Sequence, residues 1–109
     1  MLEKQFIENL KISGGEILKN IPDNWYHTKA EFGVSENGSV FINSYTKELF
    51  LSENVVVSLE KNKIYEKMSD VMDKVETGVF VCGPSKTADV ESFLVLGAHG
   101  PMRLGIIFE

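Results

Sequence analysis

The sequence contains a single cysteine, Cys82, among its 109 residues. One thiol cannot form an internal disulfide, and it cannot by itself hold an iron–sulfur cluster or a structural zinc ion. Cys82 lies in the strand-like run of residues 79–82, so we interpret it as a buried, unreactive side chain. We therefore expect no metal and no bound cofactor.

The chain also lacks basic clusters and long apolar runs. Its formal net charge is −5 and its lysines are scattered, which argues against nucleic-acid binding. No segment approaches the ~20 apolar residues of a membrane span, and the N-terminus has no apolar signal-peptide core. We expect a cytoplasmic protein that binds neither nucleic acid nor membranes.

The rest of the composition is that of an ordinary globular domain. Hydrophobic residues make up 43% of the chain and charged residues 25%. A chain of this length forms one domain, which we place at residues 1–109.

Apolar residues recur every fourth position over residues 2–10 and predict an amphipathic N-terminal helix. The pair Gly14-Gly15 ends it, because glycine adopts the left-handed conformation of a helix C-terminus without strain. A short strand over residues 16–18 follows. Residues 20–29 read as a loop with a proline turn signal.

The middle of the chain predicts a β-hairpin and a buried strand. Residues 32–36 and 39–43 flank Asn37-Gly38, the two-residue sequence that most strongly favours a hairpin turn with positive φ. Residues 55–59 are β-branched and almost continuously apolar, which is typical of a strand covered on both faces.

Helical spacing then predicts an amphipathic helix over residues 65–76. Its apolar residues are Ile64, Met68, Val71, Met72 and Val75. Residues 79–82 and 103–108 read as strands, and residues 90–96 fit either a helical turn with Asp89 as N-cap or a buried strand. This order of elements favours an α/β fold, a mixed sheet flanked by helices.

Two glycine-proline turns bracket the apolar run before the last strand. They are residues 83–91, Gly-Pro-Ser-Lys-Thr-Ala-Asp-Val-Glu, and residues 97–101, Gly-Ala-His-Gly-Pro. Backbone N–H groups of the first turn, the hydroxyls of Ser85 and Thr87 and the Lys86 ammonium are suited to cradle a phosphate or carboxylate.

Three further side chains of this region suit proton transfer. Asp89 and Glu91 are candidates to bind a hydroxyl or act as a base, and His99 is a candidate acid or base facing the same loop. Each also has a structural interpretation. Ser85, Thr87 or Asp89 caps a helix, and His99 is a turn histidine bonded to backbone.

These motifs closely resemble the LUD-domain family (lactate utilisation protein C, LutC/YkgG-like). The resemblance covers residues 83–91 and residues 96–104, Leu-Gly-Ala-His-Gly-Pro-Met-Arg-Leu. The chain differs from the family pattern there only conservatively, at Lys86, Val90 and Ala98.

Upstream segments resemble the family more loosely. Residues 30–40 are similar to an alanine-rich segment that ends in Thr-Gly-Ser or Thr-Gly-Thr, with Asn37 in place of the usual threonine. The resemblance adds Gly38 and Ser39 to the ligand-binding candidates. Residues 6–16 are similar to the family's opening helix and Gly-Gly-Glu turn.

The resemblance implies a fold like the NagB/RpiA/CoA-transferase superfamily, in a shortened form because family members are much longer. It implies a non-redox subunit or small-ligand module in the oxidation of L-lactate to pyruvate, beside partner subunits that carry iron–sulfur clusters. The alternative is an enzyme or binding protein for a small anionic metabolite. A homodimer would cover exposed sheet surface.

Overall fold

The computed structural model describes residues 2–43, 47–75, 77–83, 87–89 and 102–109. Its helices are α1 Leu2–Ile12 and α2 Lys47–Leu51. Its strands are β1 Glu16–Ile17, β2 Tyr26–Lys29, β3 Phe32–Val34, β4 Ser39–Ile42, β5 Asn54–Leu59, β6 Ile64–Tyr65, β7 Val79–Val81, β8 Thr87–Asp89 and β9 Arg103–Phe108. In these residues no helix is both long and apolar enough to cross a bilayer.

Helix α1 forms where the apolar spacing predicts it. Phe6 and Leu10 are both 0% exposed and anchor its inner face in the core. Gly14, two residues after the end of the helix, has φ of 99°, and the Gly15 N–H donates to the carbonyl of Leu10. This left-handed ending confirms the role predicted for the glycine pair.

A four-stranded parallel sheet has the order β1-β9-β5-β2. Strand β5 lies inside it and is buried from Val55 to Leu59, as its continuous apolar run predicts. The loop predicted over residues 20–29 is wrong for β2, which pairs with β5 from Tyr26↔Val55 to Lys29↔Ser58. Residues 26–29 form a strand because their backbone pairs with a strand distant in sequence, and their polar side chains give no apolar pattern that predicts it.

The second sheet has five strands in the order β6-β3-β4-β7-β8. It is a mixed sheet, because β6 runs parallel to β3 whereas the other neighbours are antiparallel. Strands β3 and β4 form the predicted antiparallel hairpin, and Gly38 has the predicted positive φ, 69°. The turn is longer than Asn37-Gly38, because Val34 pairs with Ser39 and residues 35–38 all lie in the turn.

The helix predicted over residues 65–76 is wrong. The segment begins as β6, which pairs with β3, and continues as the short 3-10 turns Met68–Asp70 and Met72–Lys74. Backbone N–H groups of Ser35 and Glu36 donate to the carbonyls of residues 65 and 66. These bonds hold the start of the segment extended, so an α-helix cannot begin there.

Two apolar clusters lie on the two faces of the mixed sheet. The larger cluster joins α1 to residues of both sheets, among them Val57, Val81 and Ile106. On the opposite face the rings of Phe32, Phe41 and Phe80 meet at centroid distances of 5.0–6.0 Å. The predicted α/β fold with a mixed sheet is confirmed, and where helices were predicted to flank the sheet, one helix of the described residues, α1, packs against it.

Candidate functional site

The predicted site residues fall partly inside the described part of the chain. Those outside it are Ser85, Lys86, Glu91 and His99, and residues 90–96 with their two interpretations also lie outside. Thr87, Asp89, Gly38 and Ser39 lie inside.

Thr87 and Asp89 belong to strand β8, which corrects the expectation of a turn throughout residues 83–91. The strand is antiparallel to β7, and its register pairs Thr87 with Val81 and Asp89 with Val79. Strand β8 lies at the edge of the five-stranded sheet.

The first motif begins against the end of α1. Gly83 has φ of 81°, and a Cβ there would lie 2.5 Å from the carbonyl oxygen of Ser13. The Cys82 Sγ lies 3.9 Å from the Ser13 Oγ and donates to the carbonyl of Asn37 at 3.5 Å. Cys82 is half-buried, so the prediction of a buried thiol is only partly met.

Arg103, two residues after the second motif, forms a charged clasp with Glu16. Arg103 Nη2 and Nε donate to the two Glu16 carboxylate oxygens at 2.9 and 3.1 Å, and the guanidinium lies 4.9 Å from the centroid of the Trp25 ring. The Glu16 hydrogen bond and charge raise the pKa of Arg103. The backbone N–H groups of Met102 and Arg103 both donate to the carbonyl of Glu53.

Gly83, which begins the first motif, and Arg103, two residues after the second motif, both contact one short segment, residues 13–16, which we name the bridging turn. Its first residue, Ser13, contacts Gly83 at the start of the first motif. Its last residue, Glu16, holds Arg103 just after the second motif. Sequence reasoning assigned no role to Ser13, Glu16 or Arg103, although Glu16 and Arg103 both lie in segments that resemble the family.

Gly38 and Ser39 make structural contacts in the hairpin turn. The Ser39 Oγ donates to the Asn37 Oδ1 at 2.7 Å, and Ser39 is 1% exposed. A Cβ on Gly38 would lie 2.7 Å from the carbonyl carbon of Asn9, in the backbone of α1. The proposed binding role of these two residues stays a prediction.

Metal binding has no support from the described residues. Among them no group of three or more histidine, cysteine, aspartate or glutamate residues is placed to hold a metal ion.

Comparison with known proteins identifies the relatives of the chain. Lactate utilization protein C of Geobacillus thermodenitrificans is 28% identical over 93 residues, which cover 72% of this chain and 39% of that protein. The Uncharacterized protein YkgG of Escherichia coli K12 is 28% identical over 89 residues, 68% of this chain and 38% of that protein. The chain thus spans about two fifths of the length of these relatives.

A solved structure shows the same fold. The crystal structure of a DUF162 family protein from Deinococcus radiodurans superposes with a TM-score of 0.66 at 11% identity, over 98% of this chain and 95% of that chain. The model of the LUD domain matches residues 24–108, which include both glycine-proline motifs. The chain therefore belongs to the LUD-domain family.

Proposed function

We propose that this chain serves L-lactate utilisation as a LUD-domain module that binds a small carboxylate, such as lactate or pyruvate, between its two glycine-proline motifs. Family membership and the names of the relatives support the lactate role. One observation carries the site: the bridging turn contacts Gly83 and also holds Arg103, so the flanks of both motifs converge on one segment.

In this proposal some residues of the motifs bind the carboxylate, and others bind the hydroxyl or transfer a proton. Ser85, Lys86 and Thr87 bind the carboxylate with hydroxyl and ammonium donors, because charge-assisted hydrogen bonds are the strongest available to an anion. Glu91 accepts a hydrogen bond from the substrate hydroxyl. The proton-transfer roles belong to Asp89 and His99.

The oxidation of lactate to pyruvate releases two electrons and two protons. The one cysteine of this chain cannot ligate an iron–sulfur cluster. We propose that partner subunits carrying such clusters accept the electrons, while this chain holds the substrate. A second copy of the chain is the other partner that we propose.

A growth experiment tests the role in the cell. Deletion of the gene should abolish or slow growth on L-lactate as sole carbon source and leave growth on glucose unchanged. The wild-type gene should restore growth, and the Lys86→Met and His99→Ala variants should restore it poorly. Normal growth of the deletion strain on lactate would rule out the proposal.

A binding experiment tests the site in the purified protein. L-lactate or pyruvate should raise the Tm, and Lys86→Met should remove most of that increase. Glu8→Gln, an exposed change on α1, is the matched control and should keep the full increase. An equal increase in wild type and Lys86→Met would show that the motifs do not bind the carboxylate.

A further inference from the structure

A cleft lies at the opposite end of the parallel sheet from the bridging turn. It has a volume of about 280 Å³ and is lined by Thr28, Lys29, Ala30, Glu31, Asn43 and Glu60, with Lys63 at its side. Strands β2 and β5 end at this cleft, whereas Arg103 and Glu16 stand at the beginnings of β9 and β1. Small molecules commonly bind at the carboxyl ends of parallel strands in open α/β sheets.

One wall of the cleft carries two lysines from the parallel sheet. Lys29 is the last residue of β2, and Lys63 follows the end of β5 by four residues. Each ammonium lies 3.7 Å from the Glu60 carboxylate, and that of Lys29 also lies 3.4 Å from the Glu109 carboxylate. All four side chains are partly exposed. Such ion pairs contribute little, about 0–1 kcal/mol, so a ligand can draw either lysine away from its carboxylate partners at small cost.

The other wall comes from the mixed sheet and carries acceptors. Glu31 precedes β3 and Asn43 follows β4, and the Asn43 Nδ2 donates to the Glu31 Oε2 at 2.9 Å. This bond orients both side chains at the rim. An adjoining cleft of about 300 Å³ shares these two residues, so space continues beyond them.

We propose that this cleft binds a small zwitterion that carries a carboxylate beside a protonated amine, that is, a free amino acid. Two lysines and two glutamates line it, so a simple anion would meet the carboxylates and a simple cation the ammonium groups. A zwitterion satisfies both: its carboxylate pairs with Lys29 and Lys63, and its ammonium with Glu31 and the Asn43 carbonyl. The volume, at the small end of ligand sites, suits a single amino acid.

Titration of the ¹⁵N-labelled full chain tests this inference, which does not rest on the proposed lactate function. The probes are a panel of standard amino acids, with glycine compared against glycolate and L-alanine against L-lactate, pairs in which a hydroxyl replaces the ammonium. Amino acids should shift the backbone amides of Ala30, Glu31 and Asn43, and glycolate should not. Shifts from L-lactate at Gly83 and Arg103 would report on the other site, so the two proposals fail separately.

Substitutions of charged residues in the cleft test whether these side chains contact the amino acid. Glu31→Gln and Lys63→Gln should each weaken amino-acid binding at least about tenfold, because each removes one charge-assisted bond. Glu8→Gln and Lys11→Gln, exposed on α1, are the matched controls and should bind as wild type does. The inference is overturned if no amino acid at about 10 mM shifts these amides, or if both cleft variants bind with unchanged affinity.

Discussion

At the scale of single residues, two glycines let separate segments of backbone touch. Gly38 has φ of 69° and lies against the backbone of Asn9 and Leu10, and Gly83 has φ of 81° and lies against Ser13. Any other residue at these positions would be strained by the positive φ, and its Cβ would clash with main-chain atoms, which cannot rotate away as a side chain can. These contacts join the hairpin turn and the first motif to α1.

Gly38→Ala should therefore destabilise the protein by about 2–4 kcal/mol, since the left-handed penalty adds to a clash 2.8 Å from the Cα of Leu10. Urea unfolding measures the change. Ser39→Ala, next to it, is the comparison variant and should cost only about 1 kcal/mol, for the lost hydroxyl hydrogen bond to Asn37. Equal costs for the two variants would contradict the proposed contact of Gly38 with α1.

The clasp of Arg103 with Glu16 gives a second prediction at this scale. Arg103→Lys should lower the Tm by only about 1–4 °C, because lysine keeps the charge but loses the bidentate geometry and the stacking on Trp25, in an exposed pair. Differential scanning calorimetry measures the shift. The same replacement in a Glu16→Gln background should have a smaller effect, and full additivity of the two changes would show that the pair is not coupled.

At the scale of elements, residues 65–76 show how a correct apolar pattern can mislead. Val71 is 0% exposed in the aromatic cluster, and Met68 and Val75 pack beside it. Met72, the next apolar residue of the predicted helical face, is 48% exposed. Short 3-10 turns place some of these residues in the core without placing them all on one helical face.

Val71→Ala should destabilise the protein by about 1–3 kcal/mol, because it leaves a cavity beside Phe32 and Phe80. Met72→Ala should change the stability by no more than about 0.5 kcal/mol. Chemical denaturation of both variants provides the measurement. Comparable losses would favour the amphipathic helix over the 3-10 turns.

At the scale of the whole molecule, α1 completes a core to which both sheets contribute. Phe6 and Leu10 belong to the same cluster as Val55, Val81 and Ile106, and their burial contributes roughly 3–6 kcal/mol. The family model begins only at residue 24. The free energy of unfolding of a small domain is about 5–15 kcal/mol in total. Residues 24–108, which the family model matches, therefore depend for their stability on α1, which lies outside them.

A chain shortened to residues 24–109 should therefore lose its cooperative thermal unfolding transition, as measured by circular dichroism. In the full chain, Leu10→Ala should cost about 2–5 kcal/mol. Ile12→Ala, on the same helix but 82% exposed, should stay within about 0.5 kcal/mol of wild type. A cooperative transition of the shortened chain at the wild-type Tm would show that α1 is dispensable.

Features that depend on neighbours along the chain could be predicted from the residues alone. The spacing of Phe6 and Leu10 predicts α1, and Gly14 its end. The apolar runs predict β5 and β9. The two glycine-proline motifs were sufficient to indicate the LUD-domain family, which the family model confirms over residues 24–108.

Features that depend on residues far apart in the chain became visible in the folded protein. Strand β2 exists because β5 offers it backbone partners, and β6 stays extended because β3 and the hairpin turn bind it. The bridging turn joins Ser13 to Gly83 and Glu16 to Arg103. The local pattern of apolar residues does not predict such partners. The backbone hydrogen bonds of a strand and the ion pair of Glu16 with Arg103 form only when whole elements pack together.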